Sequence, residues 1–331
     1  MNDSAVVALA GGVGGAKLAD GLYAELPRGT LTVIVNTADD FTIHGLHVSP
    51  DVDTVMYTLA GLANPATGWG VVADTFHGLS MLSRYGAPDW FQLGDRDIAT
   101  HILRTAALRS GETLSQVTRR LAEALGIDAR ILPMCDQPVQ TIIGADEGMF
   151  AFQEYFVQRQ AKDHVRSIRL DGIESATMSD EVQAALERCS AIVLCPSNPF
   201  VSIAPILAVP GMRERILRRG VPIVAVSPII AGQALKGPAA AMLESLGRDV
   251  SVVGVADVYA DLGVTLIVDD VDREYADAVA ARGVRPVVAP IVMRSAEDRR
   301  ALARRVIDMA RGLAGNGPAA QAVARNSGAG R

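Results

Sequence analysis

The chain has 331 residues, 49% of them hydrophobic, and a net charge of −6. That length can bury a large core as one elaborated α/β domain or two smaller ones, and the acidic balance argues against a nucleic-acid surface, which needs clustered Lys and Arg. No apolar run reaches the roughly 18 residues of a membrane span, the N-terminus lacks a basic leader, and Cys135, Cys189 and Cys195 are spaced for neither disulfides nor zinc, so a reduced cytoplasmic protein is expected, without membrane or nucleic-acid partners.

Val6 to Leu9 read as a buried strand that runs into Gly11, Gly12, Gly14 and Gly15. Glycines there let an anion approach the backbone, and the following helix aims its N-terminal amides at it. Leu18, Leu22 and Leu26 recur at the spacing of a helix packed on a sheet. The loop fits no standard fingerprint. Lys17 stands where a dinucleotide loop has its third glycine, and Ala16 and Leu18 stand where a Walker loop needs Gly and Ser or Thr. A phosphate-bearing ligand is expected, with Lys17 either reaching its phosphates or pointing to solvent.

A second strand, Leu31 to Val35, ends at Asn36, where a dinucleotide fold carries the acidic residue that grips ribose. Asn36 and Thr37 are therefore neutral candidates for ligand contact. Asp39 and Asp40 follow at the carboxyl edge of the sheet. Ser49 and Pro50 then open a helix whose first turn holds Asp51 and Asp53, where acidic residues also suit the helix dipole. Four carboxylates beside a phosphate loop repel one another unless a cation is present, and Mg²⁺ combines one or two carboxylates with phosphate oxygens.

From Leu62 to Asp95 the pattern is irregular, and Trp69, Trp90 and Phe91 are either satellite core or one wall of a ring pocket. Asp95 is expected to N-cap the next helix, with Arg96 in its first turn as a phosphate clamp or as a partner of Asp95 or Asp97. A helix from Leu114 to Leu125 closes at Gly126. Arg130 to Met134, Val139 to Gly144 and Met149 to Tyr155 read as short strands of an inserted block, with Cys135 to Pro138 on a loop beside the site.

The α/β rhythm returns at Ser179: a helix to Arg188, a strand from Ala191 to Cys195, and the strand-edge loop Pro196 to Pro199, where Ser197 and Asn198 can bind phosphate or a base edge. A helix after Pro210, strands at Ile223 to Val226, around Val252, at Val264 to Val268 and at Pro286 to Ala289, and helices at Pro238 to Leu246, Asp272 to Ala281 and Ser295 to Leu313 complete the pattern. Residues 314–331 are small and polar and are expected to be disordered. The expected fold is α/β, a Rossmann-like, mostly parallel sheet with helices on both faces. One catalytic domain, 1–313, would comprise a core of about 1–60 and 179–313 and a mixed α/β subdomain inserted at about 61–178. His44 and His47 read as loop residues, His77, His101 and His164 as isolated ones, and no nucleophile-elbow motif is present.

Six blocks in order, AGGVGGAKLADGL, NTADD, SPDVDTVMY, LGDRDIATHILR, PSNPFVSIAPILAVPG and VAVSPIIAGQALKGPA, resemble the 2-phospho-L-lactate transferase family (CofD/FbiA) from about Val6 to Gly237. The resemblance implies a homodimeric transferase of coenzyme F420 biosynthesis. Such an enzyme moves a phospho-lactyl, phospho-enolpyruvyl or phospho-glyceryl group from a guanosine diphospho-donor to the 5′-hydroxyl of the deazaflavin Fo, releases GMP and uses Mg²⁺. Where archaeal members often carry Trp after the NTADD block, this chain has Phe41-Thr42-Ile43. On this reading the diphosphate lies over Gly11 to Gly15, and one or two of Asp39, Asp40, Asp51 and Asp53 hold the metal. Asp51 or Asp53 orients or deprotonates the hydroxyl, and Arg96 stabilises the leaving GMP. The alternatives are a non-catalytic nucleotide-sugar-binding regulator of the YvcK type and a nicotinamide-dependent oxidoreductase, the latter disfavoured by Asn36 and the absent third glycine.

Overall fold

A computed structural model describes residues 5–234 and 237–315. Its centre is a seven-stranded sheet of β1 (Val6–Ala10), β2 (Leu31–Val35), β3 (Arg130–Pro133), β4 (Ala191–Leu194), β5 (Ile223–Val226), β6 (Thr265–Val268) and β7 (Arg285–Val288). The strands lie in the order β7-β6-β5-β4-β1-β2-β3, and every pairing is parallel. In β1, Val6, Ala8 and Ala10 face one apolar core and Val7 and Leu9 the other. That alternation shows why the strand reads as a continuous hydrophobic run: both sheet faces are covered.

Helix α1 (Gly12–Glu25) follows β1, and α2 (Pro50–Leu59) packs beside it on the same face with Leu18, Leu22, Val52 and Val55 buried together. The final helix, Ala296–Gly315, lies against α1 and adds Leu302, Ala303 and Val306 to that core. Next to this layer come α3 (His77–Arg84), α4 (Asp95–Arg109) and α5 (Leu114–Ala124). Thr113 caps α5 reciprocally with Gln116, a capping box that fixes the helix start.

Several expectations are corrected. Arg130–Pro133 pairs with β2 as an edge strand of the main sheet, so the inserted block is interrupted by a core element. The rest of that block is an antiparallel sheet in which Gln140–Ala145 lies between Gly148–Ala151 and Val165–Asp171, the last a strand the sequence pattern did not reveal. The expected strand through Tyr155 stops at Ala151 and gives way to a wide helical turn, Glu154–Gln158. The apolar run at Val252 is a helix, Val252–Tyr259, capped by Ser251. Val252, Val253, Gly254, Val255 and Ala256 are buried in an unbroken run, which hides the period that separates helix from strand. Helix α3 occupies part of the segment expected to be irregular, and Asp272 to Ala281 divides into a 3-10 turn and the short helix Ala276–Ala280. Ala314 and Gly315 of the expected tail belong to the last helix, and residues 316–331 lie outside the described residues. Among the described residues no helix is long and apolar enough to cross a membrane.

Candidate active site

The chain runs outward in opposite directions from β1, toward β2 on one side and β4 on the other, so the carboxyl ends of β1 and β4 open a crevice of the kind where α/β sheets take their ligands. A cavity of about 500 Å³ lies there. Gly11, Gly12, Gly14, Lys17, Asp39, Asp51, Asp53, Ser197 and Asn198 all reach its wall, and Gly15, Asn36, Thr37, Asp40, Asp95 and Arg96 do not.

The glycines form less of a loop than the sequence suggests. Gly11 is the N-cap of α1, and Gly12, Gly14 and Gly15 are already in its first turn. Gly12 has a φ of 59°, a left-handed conformation that disfavours a side chain. A Cβ on Gly14 would strike the carbonyl oxygen of Pro196, and one on Gly11 would strike Asp51 and Ser202. Close approach of three chain segments is thus what requires glycine. Ser197 ties the segments together: its Oγ accepts from the Gly11 amide at 2.9 Å and donates to the Gly11 carbonyl at 2.7 Å. Asn198 spends its side-chain oxygen on the amides of Phe200 and Val201, capping the turn that follows. Lys17 stays on the cavity wall, where its Nζ donates to the Met293 carbonyl at 3.2 Å, which settles against the solvent-pointing alternative.

Asn36 does not wait for a ribose. Its Nδ2 donates to Asp39 Oδ1 and to Asp51 Oδ2, each at 3.0 Å, and its Oδ1 accepts from the Ala38 amide. From the helical turn that follows the inserted strand Gly148–Ala151, Gln153 donates to the other Asp39 oxygen at 3.1 Å. Both carboxyls are buried. Burial, then the repulsion of Asp51 and Asp40, holds the Asp39 carboxyl well above the usual range. Burial pushes Asp51 up to about 7, against the hydrogen bonds from Asn36 and Gly12. Two desolvated carboxylates joined through one amide are costly when ionised and become favourable when a cation lies between them. This donor set fits Mg²⁺, which takes one or two carboxylates and completes its shell with phosphate or water oxygens. Asp40 is turned toward Ser49 and His47, at 2.6 and 3.1 Å, and burial raises it in spite of His47. It does not reach the cavity wall.

Asp53 is committed elsewhere, which corrects its expected role as metal ligand or base. Arg104, fully buried on α4, grips it with both terminal nitrogens, NH1 at 3.0 Å from Oδ2 and NH2 on Oδ1. Burial alone would lower the guanidinium, and Asp53 more than reverses this. Asp53, Asp97 and His101 bring three possible metal-ligand atoms within 4.8 Å of one another, but Arg104 already supplies the positive charge there. Tyr57 completes the group: its hydroxyl donates to Asp97 at 2.8 Å, and burial, then Asp53 and Asp97, drives its phenol far upward, so it remains a donor.

Arg96 and Asp95 are the other corrections. Arg96 is exposed, off the cavity, and its NH1 donates to the Val72 carbonyl. Asp95 accepts from the amides of His77 and Gly78 and so caps α3. Asp74 accepts from the amides of Arg96 and Asp97 and caps α4 in its place.

Sequence reasoning missed Asp97, His101 and Arg104, although their i, i+4, i+7 spacing puts them on one face of α4, opposite the i, i+4 pair Asp53 and Tyr57 of α2. Nothing in the sequence signals Gln153. The aromatics divide: Phe41, Trp90 and Phe91 form a cluster with ring centroids 4.7 to 5.9 Å apart, and of these Phe91 reaches the cavity, as does Trp69. Phe152 and Phe156, stacked at 5.5 Å, supply a further apolar stretch of wall.

This geometry defines a Rossmann-like α/β protein with a polar-floored, aromatic-walled small-molecule cavity at the sheet's switch point. The chain belongs to the 2-phospho-L-lactate transferase (CofD) family, whose sequence profile matches residues 6–308, and it is an enzyme of that transferase type. It is 38% identical over 304 residues to a 2-phospho-L-lactate transferase of Methanosarcina acetivorans, covering 92% of this chain and 98% of that one. It is 41% identical over 311 residues to a phosphoenolpyruvate transferase of Streptomyces griseus, again covering 92% and 98%. In fold it is similar to a solved structure of a UPF0052-family protein from Bacillus halodurans, with a TM-score of 0.59, 16% identity, and coverage of 93% of this chain and 99% of that chain.

Proposed function

We propose that this enzyme transfers a phosphate-linked three-carbon acid from a guanosine diphospho-donor to the terminal hydroxyl of the deazaflavin Fo, with release of GMP. The observation that carries this reading is the Asp39–Asn36–Asp51 bridge beside the first turn of α1. It places a cation-demanding carboxylate pair against a row of helix amides, which together match a diphosphate and its divalent ion.

Asp39 and Asp51 would hold Mg²⁺, which when bound neutralises charge on the transferring phosphate. The residues of this chain do the rest. The amides of Val13 and Gly14 would donate to donor phosphate oxygens, and Lys17 stands on the same wall to add positive charge. Ser197 fixes the glycine turn so that those amides keep their direction. The aromatic residues Trp69, Phe91, Phe152 and Phe156 offer flat surfaces for the deazaflavin ring. The acceptor oxygen forms its bond to the distal phosphorus as the bond to the GMP oxygen breaks, in line. Positioning and charge neutralisation supply most of the barrier lowering in such transfers.

The relatives carry two different names, one for phospholactate and one for phosphoenolpyruvate, at 38% and 41% identity. The donor acid is therefore chosen by assay: purified protein, Fo, GTP, a partner guanylyltransferase and each three-carbon phosphate in turn. GMP release with a phosphodiester product of Fo, detected by mass spectrometry, is the expected result. No product with any of the acids would overturn the reading.

A further inference from the structure

Arg104 settles the proton on His101. Its NH1 lies 3.3 Å from His101 Nδ1, and a guanidinium nitrogen can only donate, so Nδ1 is the acceptor. The ring proton is then on Nε2. Nε2 is buried and has no hydrogen-bond partner among the described residues, although His101 lines the cavity. An unpaired buried N–H is destabilising and calls for an acceptor. Asp97 Oδ1 is 3.3 Å from Nε2 but is not hydrogen-bonded to it; it accepts from the Tyr57 hydroxyl, and the Asp97 side chain keeps 11% of its surface open.

A fixed donor and an open acceptor side by side are complementary to one group, a hydroxyl, which can accept from the first while donating to the second. An anion is repelled by Asp97 and Asp53, and a cation is disfavoured by Arg104 and the Nε2 N–H. We infer that His101 and Asp97 form a hydroxyl-binding pair that positions the polyhydroxylated chain of the acceptor, through one of its secondary hydroxyls. This rests on the functional reading above. The attacking terminal hydroxyl is the wrong occupant, because a donor bonded to its oxygen would draw electron density from the nucleophile. His101 and Asp97 are thus positioning residues.

The test compares Fo with an analogue whose side chain keeps only its terminal hydroxyl, at saturating donor. For His101→Leu the KM for Fo rises at least about tenfold while the donor KM holds, and the analogue, already a weak acceptor for the wild type, loses nothing further. His101→Gln, whose side-chain oxygen can accept from Arg104 while its NH₂ donates, restores most of the Fo KM. Equal losses on both acceptors, or an unchanged KM for Fo, overturns the pair. If His101→Leu does not fold, Asp97→Asn, which keeps an acceptor for Tyr57, is read in the same way. A wild-type protein that transfers to neither acceptor overturns the functional reading itself, and this inference with it.

Discussion

Ser197 and Gly11, 186 residues apart in sequence, exchange two hydrogen bonds through a single hydroxyl. The contact joins the carboxyl ends of β4 and β1 at the switch point. Ser197→Ala leaves a buried amide and a buried carbonyl unpartnered, at a cost of about 1–3 kcal/mol in urea denaturation. The same change loosens the α1 amides, so donor KM rises with acceptor KM unchanged. A stability loss below about 0.5 kcal/mol would show that the turn is held by other means.

Gly14 is crowded by the backbone of Pro196, which cannot swing aside as a side chain can. Gly14→Ala is expected to destabilise the fold by about 1–3 kcal/mol and to weaken donor binding. Calorimetric titration with GDP, alongside a thermal melt, checks both effects.

Asp51→Asn is the sharpest probe of the carboxylate pair. The amide keeps an acceptor for Asn36 but removes a buried charge. Turnover at saturating Mg²⁺ should fall at least about a hundredfold, whereas the melting temperature in chelator should not fall. An active Asp51→Asn enzyme with undiminished stabilisation by Mg²⁺ would exclude Asp51 as a ligand.

The raised carboxyls of Asp39 and Asp51 also fix the sign of a pH effect. A carboxyl raised on folding contributes stability that is complete below its ordinary value of 3.8 and is lost as pH climbs through the folded value, about 7 for Asp51. Without metal, the Asp51 contribution therefore declines between pH 3.8 and about 7. On the proposed reading Mg²⁺ binds the ionised pair, so the rise in melting temperature on adding it should widen across the same interval. Thermal melts with chelator and with Mg²⁺ at several pH values measure this, and a constant difference would contradict it.

Arg104→Met strands the buried Asp53 carboxylate and should cost about 3–5 kcal/mol. Adding Asp53→Leu should recover much of that loss, as the double-mutant cycle in urea would show. Arg96→Ala, by contrast, should change kcat and both KM values less than about twofold, since its side chain is exposed and away from the cavity. A large loss there would return Arg96 to the site.

The strands of the central sheet were legible because each parallel strand buried on both faces reads as an unbroken apolar run, as β1, β4 and β5 do. The same rule concealed Val252–Tyr259, a helix whose first five residues are all buried. Glycines and aspartates announced the site through their local density. What density could not reveal was which carboxylate pairs with what: Asp53 is neutralised by a residue 51 positions away, and Asp95 caps a helix that precedes it. Asn36 was placed correctly at the strand end, but its partners depend on how α2 lies against β2, which no local pattern encodes.

Gln153 gives the insertion a role beyond enclosing the cavity, because it donates directly to Asp39. On the proposed reading, a chimera that exchanges this module with one from a relative would alter the electrostatics of the proposed cation site along with the cavity wall. Changes in selectivity made by grafting residues 140–171 should then carry a change in cation affinity, unless the graft retains an amide donor at position 153.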